Sequence, residues 1–142
     1  MPSELIIAIH VLVYLRKEKR QISSEELAKN VCVNPVRVRK VLGRLKKQGI
    51  VETKKGLSGG YYFQIEKETI TLKEVYDALQ IKICHTSWRS GNQDMDCMVS
   101  SGMSYIIDDL CDDLDLACQN YLATITIRDI IKKIEENYQK RD

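Results

Sequence analysis

The stretch that most limits what this chain can fold into spans residues 22–65, and it reads helix, tight turn, helix, hairpin. A Ser-Ser-Glu-Glu run opens a first helix over 24–30, and Val31-Cys32-Val33 leaves room only for a turn. Asn34-Pro35 then starts a second helix. An asparagine side chain accepts a hydrogen bond from the free amides of a first turn, and proline suits the first helical position because it has no amide there to leave unpaired. The helix runs to Gln48, with Gly49 as its stop, and Val38, Val41, Leu42 and Leu45 recur at helical spacing as one buried face. Two β-prone segments follow, 50–54 and 61–65, joined by Lys55-Gly56-Leu57-Ser58-Gly59-Gly60. That order is a winged helix-turn-helix.

The charge on this stretch implies a partner. Residues 1–60 carry 13 Lys and Arg against 5 Asp and Glu, a net +8, while residues 61–142 carry 9 against 15, a net −6. One end is therefore suited to a polyanion and the other is repelled by it. Arg37, Arg39, Lys40, Arg44, Lys46 and Lys47 fill the faces of the second helix left by its apolar residues, and Lys54 and Lys55 stand at the wing. Arginine can fork to guanine edges or grip phosphates, so duplex DNA is the expected partner. The candidate contacts are Ser24, Asn34, Arg37, Arg39, Lys40, Arg44, Lys54, Lys55 and Ser58.

The rest of the chain reads as α-helix, so the expected fold is mainly α with a small β wing and a long dimerisation helix. Residues 5–15 are apolar almost all round, which calls for burial on most sides, partly by a second subunit. His10 within them is expected to be a satisfied core or interface residue, and 16–20 a polar link. Thr71-Leu72-Lys73-Glu74 is a capping box that opens a short helix to about Gln80, packed through Val75, Tyr76 and Leu79. Residues 84–96 show little periodicity and read as a mobile loop anchored by Trp88. Asp96 is placed to cap a helix from Cys97 to about Asn120, with Val99, Met103, Ile106, Leu110, Leu114, Ala117 and Tyr121 as one apolar stripe. At 1.5 Å per residue it would be about 36 Å long, more than so small a chain can cover, so a two-fold dimer is expected. Asp108, Asp109, Asp112, Asp113 and Asp115 are expected on its solvated side. Thr126 caps a last helix over 127–138, with Ile130, Ile131 and Ile134 turned inward. The expected division is a DNA-binding domain over 1–80, a sensor loop over 81–96, and dimerisation and C-terminal helices over 97–142.

These residues together resemble the Rrf-two family of bacterial winged-helix transcription regulators. The resemblance rests on Ala8-Ile9-His10, Glu26-Leu27-Ala28, residues 38–51 ending in Lys-Lys-Gln-Gly-Ile-Val, and Thr126-Ile127-Arg128-Asp129-Ile130. Its most specific piece is the wing Lys55-Gly56-Leu57-Ser58-Gly59-Gly60-Tyr61. It implies a homodimer on a palindromic operator, usually a repressor, with the second helix in the major groove and the wing in the minor. Carried over by position, Asn34 contacts the DNA backbone, Arg39 reads a base, and Lys55 enters the minor groove.

Many members of that family hold an iron–sulfur cluster through three cysteines in the loop before the long helix. Here only Cys84 and Cys97 lie in that region, and Ser100 stands where a histidine ligand would be. No cofactor or metal is therefore expected. The chain looks instead like the cluster-free members that sense hypochlorite or electrophiles through thiols. Cys97, in the first turn of a helix whose free amides favour a thiolate, and Cys32, in the turn before the second helix, are the expected sensors. An intersubunit Cys97–Cys32′ disulfide would release DNA. Cys111 and Cys118 read as packing residues, and Cys84 is left open as a possible resolving thiol. The alternatives are regulation by a small metabolite, by a partner protein or by a cluster.

No nucleophile–base pairing or phosphate loop can be placed, which argues against an enzyme, and the odd cysteine count without a Cys-x-x-Cys pair argues against a structural zinc site. The N-terminal apolar run ends at Arg16, is too short to span a bilayer, and lacks the marks of a signal peptide, so no membrane association and a cytoplasmic location are expected.

Overall fold

The computed structural model describes residues 1–56 and 59–141. It holds six α-helices and a two-stranded antiparallel wing among them. The helices are α1 (Ser3–Glu18), α2 (Ser24–Val31), α3 (Pro35–Lys47), α4 (Leu72–Leu79), α5 (Met98–Leu122) and α6 (Ile127–Gln139). The strands are β1 (Glu52–Lys54) and β2 (Gly60–Tyr62), paired Glu52 with Tyr62, Thr53 with Tyr61 and Lys54 with Gly60. No helix of the described residues is long and apolar enough to cross a membrane.

α1 is the central element. It packs against α2, α3, α4, α6 and β2, and Leu5, Leu12 and Leu15 lie wholly inside with Leu27, Leu42, Leu45 and Leu79. It runs one turn further than the apolar residues alone suggest, to Glu18, and ends at Lys19 in the left-handed conformation. Its outer side is not covered: Ile6 is 47% exposed. His10 is on that side, and its Nε2 donates to Asn30 Oδ1 at 2.8 Å, so it is satisfied at the surface rather than in the core.

The hairpin strands are shorter than their sequence propensity suggests, because each outer end has another task. Ile50 and Val51 are buried in the core, and Ile65 begins a single 3-10 turn. A third backbone joins the sheet: Ile22 and Tyr61 exchange two amide–carbonyl bonds of 2.9 Å. A Cβ on Gly60 would lie 2.7 Å from the Ile22 carbonyl, so only glycine lets that strand approach.

Two capping boxes meet where α4 and α6 begin. Thr71 with Glu74, and Thr126 with Asp129, each close reciprocally, and the two N-termini are bridged by Leu72 N to Ile125 O (2.8 Å) and Ile127 N to Ile70 O (3.0 Å). Beside them Glu68 accepts from Arg16 at 2.7 Å and Arg128 at 2.6 Å. The Arg16 and then the Arg128 hydrogen bonds hold its carboxyl below the usual glutamate range. α6 thus folds back onto α1, with Ile127 fully buried and Ile130 and Ile131 partly so. Ile134 does not turn inward as the periodicity suggests: α6 crosses the edge of α1, and Ile134 stays 50% exposed.

The long helix corrects three expectations. Asp96 does not cap it. The N-cap is Cys97, whose amide donates to Met95 O at 2.8 Å in a tight turn that moves the start one residue on. Trp88 does not anchor the preceding segment and is 75% exposed. Its neighbour Arg89 takes that place, bonding Asp108 at 2.8 Å and lying 5.8 Å from the Tyr105 ring centre. Most consequentially, Asp115 is not solvated but 4% exposed. It accepts from Tyr76 Oη at 2.6 Å, Ile83 N at 2.7 Å, Cys84 N at 3.1 Å and Gln119 Nε2 at 3.0 Å. Burial by itself raises this carboxyl, but those four donors outweigh it and hold it below the usual aspartate range. Burial, then the bond to Asp115, pushes the Tyr76 phenol well above its ordinary value.

The Asp115→Ala chain is expected to lose about 2–3 kcal/mol, because Tyr76 and two amides are left without an acceptor. The folded carboxyl titrates below its unfolded value. Its contribution is therefore complete above about pH 4 and is lost as pH falls through the folded value. Thermal unfolding followed by circular dichroism should show a steeper acid loss in the wild type than in Asp115→Asn.

Candidate nucleic-acid interface

α2 and α3 form the reading head, and each is set by its own cap. Ser23 caps α2 by accepting from Glu26 N at 3.2 Å. Asn34 Oδ1 accepts from Val36 N at 2.8 Å with Pro35 behind it, as the sequence implies. Between them Cys32 ends α2 at φ 62°, a left-handed position that glycine usually occupies. Val38, Val41, Leu42 and Leu45 fix α3 to the core. Val36, Arg37, Arg39, Lys40, Gly43, Lys46 and Lys47 of α3 are exposed, and Val36, Lys40, Gly43 and Lys47 share one face. A Cβ on Gly43 would meet nothing, so the middle of this face is bare backbone that another molecule can approach closely.

The cations of α3 divide into two groups. Arg37, Arg39 and Arg44 are each engaged within the chain. Arg37 Nη2 donates to Ser3 Oγ at 2.7 Å. Arg39 Nε donates to Ser24 Oγ at 3.0 Å, and its Nη2 pairs with Glu25. That brings two candidate residues, Ser24 and Arg39, together across the helix-turn-helix. The Glu25 carboxyl is lowered by its own backbone amide, then by Arg39. Arg44 Nη1 donates to the Leu79 carbonyl at 2.7 Å, closing the end of α4. Arg44 is therefore turned towards α4 and half-buried, whereas Arg37 and Arg39 are exposed. The lysines differ: Lys40, Lys46, Lys47 and Lys55 are exposed and make no hydrogen bond or ion pair among the described residues.

At the wing, Lys54 lies 5.9 Å from the Tyr62 ring centre, and the Tyr62 hydroxyl donates to Glu52. That bond, then burial, raises the Tyr62 phenol. Lys55 is exposed at the tip. Ser58 lies outside the described residues.

A model of the family Rrf2, described as iron-dependent transcriptional regulators, matches residues 1–133. The chain belongs to the Rrf2 family. This Rrf2 regulator is 30% identical over 132 residues to YwnA of Bacillus subtilis (strain 168), a protein named as an HTH-type transcriptional regulator, covering 93% of this chain and 97% of that one. Its fold matches a crystal structure described as a transcriptional regulator from Lactobacillus plantarum, with a TM-score of 0.79, 22% identity and full coverage of both chains. It also matches the oxidized form of Staphylococcus aureus CymR, with a TM-score of 0.63, 14% identity and coverage of 92% and 94%. The protein is thus a DNA-binding transcription regulator with a winged-helix fold.

The family description names iron, and the residues present do not fit an iron–sulfur cluster within one Rrf2 chain. Cys84 is fixed against α5 at Asp115, 18 residues and therefore about 27 Å along the helix from Cys97. Such a cluster needs about four ligands at one place. Among the described residues no group of three His, Cys, Asp or Glu side chains could hold a metal ion. The cysteines are otherwise placed as follows. Cys32 and Cys97 are exposed, and Cys84, Cys111 and Cys118 are half-buried.

Sequence reading missed Asp115 as a working residue. The signal was there: 111, 115, 118 and 122 follow helical spacing and mark a second face of α5, about a third of a turn from the apolar stripe. For Arg44 the placement has a measurable consequence. Arg44→Ala should lower stability by about 1–2 kcal/mol, since the Leu79 carbonyl loses a charged donor, and chemical denaturation with urea measures it.

Proposed function

We propose that this Rrf2 regulator is a homodimeric repressor on a palindromic operator, switched by oxidation of Cys97 and Cys32 of opposite subunits. The observation that carries the switch is that, of five cysteines, only these two are exposed. Both sit at helix ends, Cys32 closing α2 and Cys97 opening α5. A disulfide needs Cα atoms within about 7 Å, so linking them draws the long helix of one subunit against the reading head of the other. The spacing of the two α3 helices then no longer fits two half-sites one helical turn apart. A Staphylococcus aureus relative of this fold has been crystallised in an oxidized form, which gives redox change a precedent in the fold.

Dimerisation is supported by apolar surface that one chain leaves open. Val99, Ile106, Leu110, Leu114 and Tyr121 on α5 are each more than half exposed. A groove of about 430 Å³ between α1 and α6, lined by Ile6, Ile9, Val13, Ile130 and Ile134, lies uncovered as well. Contiguous surface of this kind is rare on monomers and is removed from water by a second copy.

In the DNA complex, Lys40 and Lys47 meet phosphates from the outward face of α3, and Lys54 and Lys55 do so from the wing. Arg39 reaches a base only by leaving Glu25, so α2 holds it ready beside the groove until DNA offers a better acceptor. Lys40→Ala and Lys47→Ala are expected to weaken all operator variants alike and to reduce the salt slope of binding by about one each. Arg39→Ala should instead relax preference at one base pair; fluorescence anisotropy across a salt series separates the two.

The switch is tested on a non-reducing denaturing gel with hypochlorite. A reversible dimer band is expected from the wild type and from neither Cys32→Ser nor Cys97→Ser. Operator release that persists in Cys97→Ser would overturn the reading.

A further inference from the structure

The face of α5 that holds Asp115 also carries two thiols, Cys111 one turn before it and Cys118 one turn after it. Cys84 is brought onto the same face from outside the helix. Its amide donates to Asp115 Oδ1 at 3.1 Å, beside the Ile83 amide at 2.7 Å, so residues 83 and 84 are laid along the helix by two bonds to one carboxylate. Cys84 is thereby held against the turn of α5 that Cys111 and Cys118 flank, one helical turn to either side of Asp115. Burial, then the hydrogen bond with Cys111, pushes the Cys84 thiol up, and Cys118 acts on it only at longer range. All three cysteines are half-buried, neither sealed in the core nor on the apolar stripe, which lies elsewhere on the helix.

We propose that Cys84 and Cys111 form a second, intrachain dithiol site that takes up one disulfide, independent of Cys32 and Cys97. With a peroxide as oxidant, one sulfur attacks the O–O bond and becomes a sulfenic acid, releasing one water after protonation. The second thiol then attacks that sulfur, the S–S bond forms, and its hydroxyl leaves as a second water. Two thiols and one hydrogen peroxide give one disulfide and two waters.

A metal is a poorer occupant. Cys111 and Cys118 are seven residues, about 10 Å, apart along the helix, and no three-ligand group is formed among the described residues. The pairing has a structural consequence. It closes residues 84–111 into a covalent loop at the point where α5 grips α4 through Tyr76, and α4 is in turn held to α3 by the bond from Arg44 to Leu79. Oxidation here stiffens the joint between the long helix and the reading head, whereas the intersubunit disulfide proposed above displaces one against the other.

The test uses the full-length Cys32→Ser/Cys97→Ser protein, so that the outcome does not depend on the intersubunit switch, with the wild type mapped in parallel. After treatment with one equivalent of hydrogen peroxide, free thiols are alkylated under denaturing conditions and the chain is digested without reductant. The expected result is loss of two of three alkylatable thiols, a peptide joining Cys84 to Cys111, and a chain that stays monomeric on the denaturing gel. The link should vanish in Cys84→Ser and in Cys111→Ser and persist in Cys118→Ser, and amide exchange at 83 and 84 should slow on oxidation. Three thiols still free, a link to Cys118, or a covalent dimer would each overturn the proposal. A dimer band that needs Cys32 and Cys97 in the wild type bears on the intersubunit switch alone.

Discussion

The structure depends on a single buried carboxylate. α5 turns little apolar surface to its own chain beyond Leu122 at its end; its apolar stripe looks outward. What fixes it is Asp115, which collects a phenol, two backbone amides and a side-chain amide. A buried charge without partners is costly, and four donors compensate that cost only in one geometry. The joint is therefore directional in a way that hydrophobic packing is not. It sets where α5 leaves the body of the protein and where the 81–96 segment is laid down. That leaves the stripe free for a different contact.

The same division between holding and presenting runs through the cations of α3. Three arginines are engaged by Ser3, by Ser24 with Glu25, and by the Leu79 carbonyl. The lysines are left exposed. Planar guanidinium groups with several donors suit fixed partners, while a lysine ammonium is a mobile point charge suited to phosphates. Net positive charge on this half of the chain is thus not one surface but two populations. Only one of them is free to meet a polyanion without first giving up a bond.

Where local chemistry decides, the sequence was readable. The Asn34 cap, the Thr71 capping box, the Thr126 cap, the apolar face of α3 and the long helix all lie where spacing places them. The winged-helix family follows from the same residues. Errors fell where a residue's partner is distant in sequence. Asp115 looks like one of five crowded aspartates until Tyr76 and residues 83–84 are placed against it. Arg44 looks like its basic neighbours until α4 arrives beneath it. Trp88 seemed the natural anchor of its segment because it is large and apolar, yet Arg89 found an aspartate, a serine and a ring to bind.

By itself the sequence determined the elements, the caps of α3, α4 and α6, the charge asymmetry and the family, because each is written in residues within a few positions of one another. Tertiary structure alone decided which cations are free, which aspartate is buried and which thiols adjoin. Those properties depend on the angle at which one helix meets another. A helix face shows only which residues share it, and what it meets is settled when distant segments close on the same core.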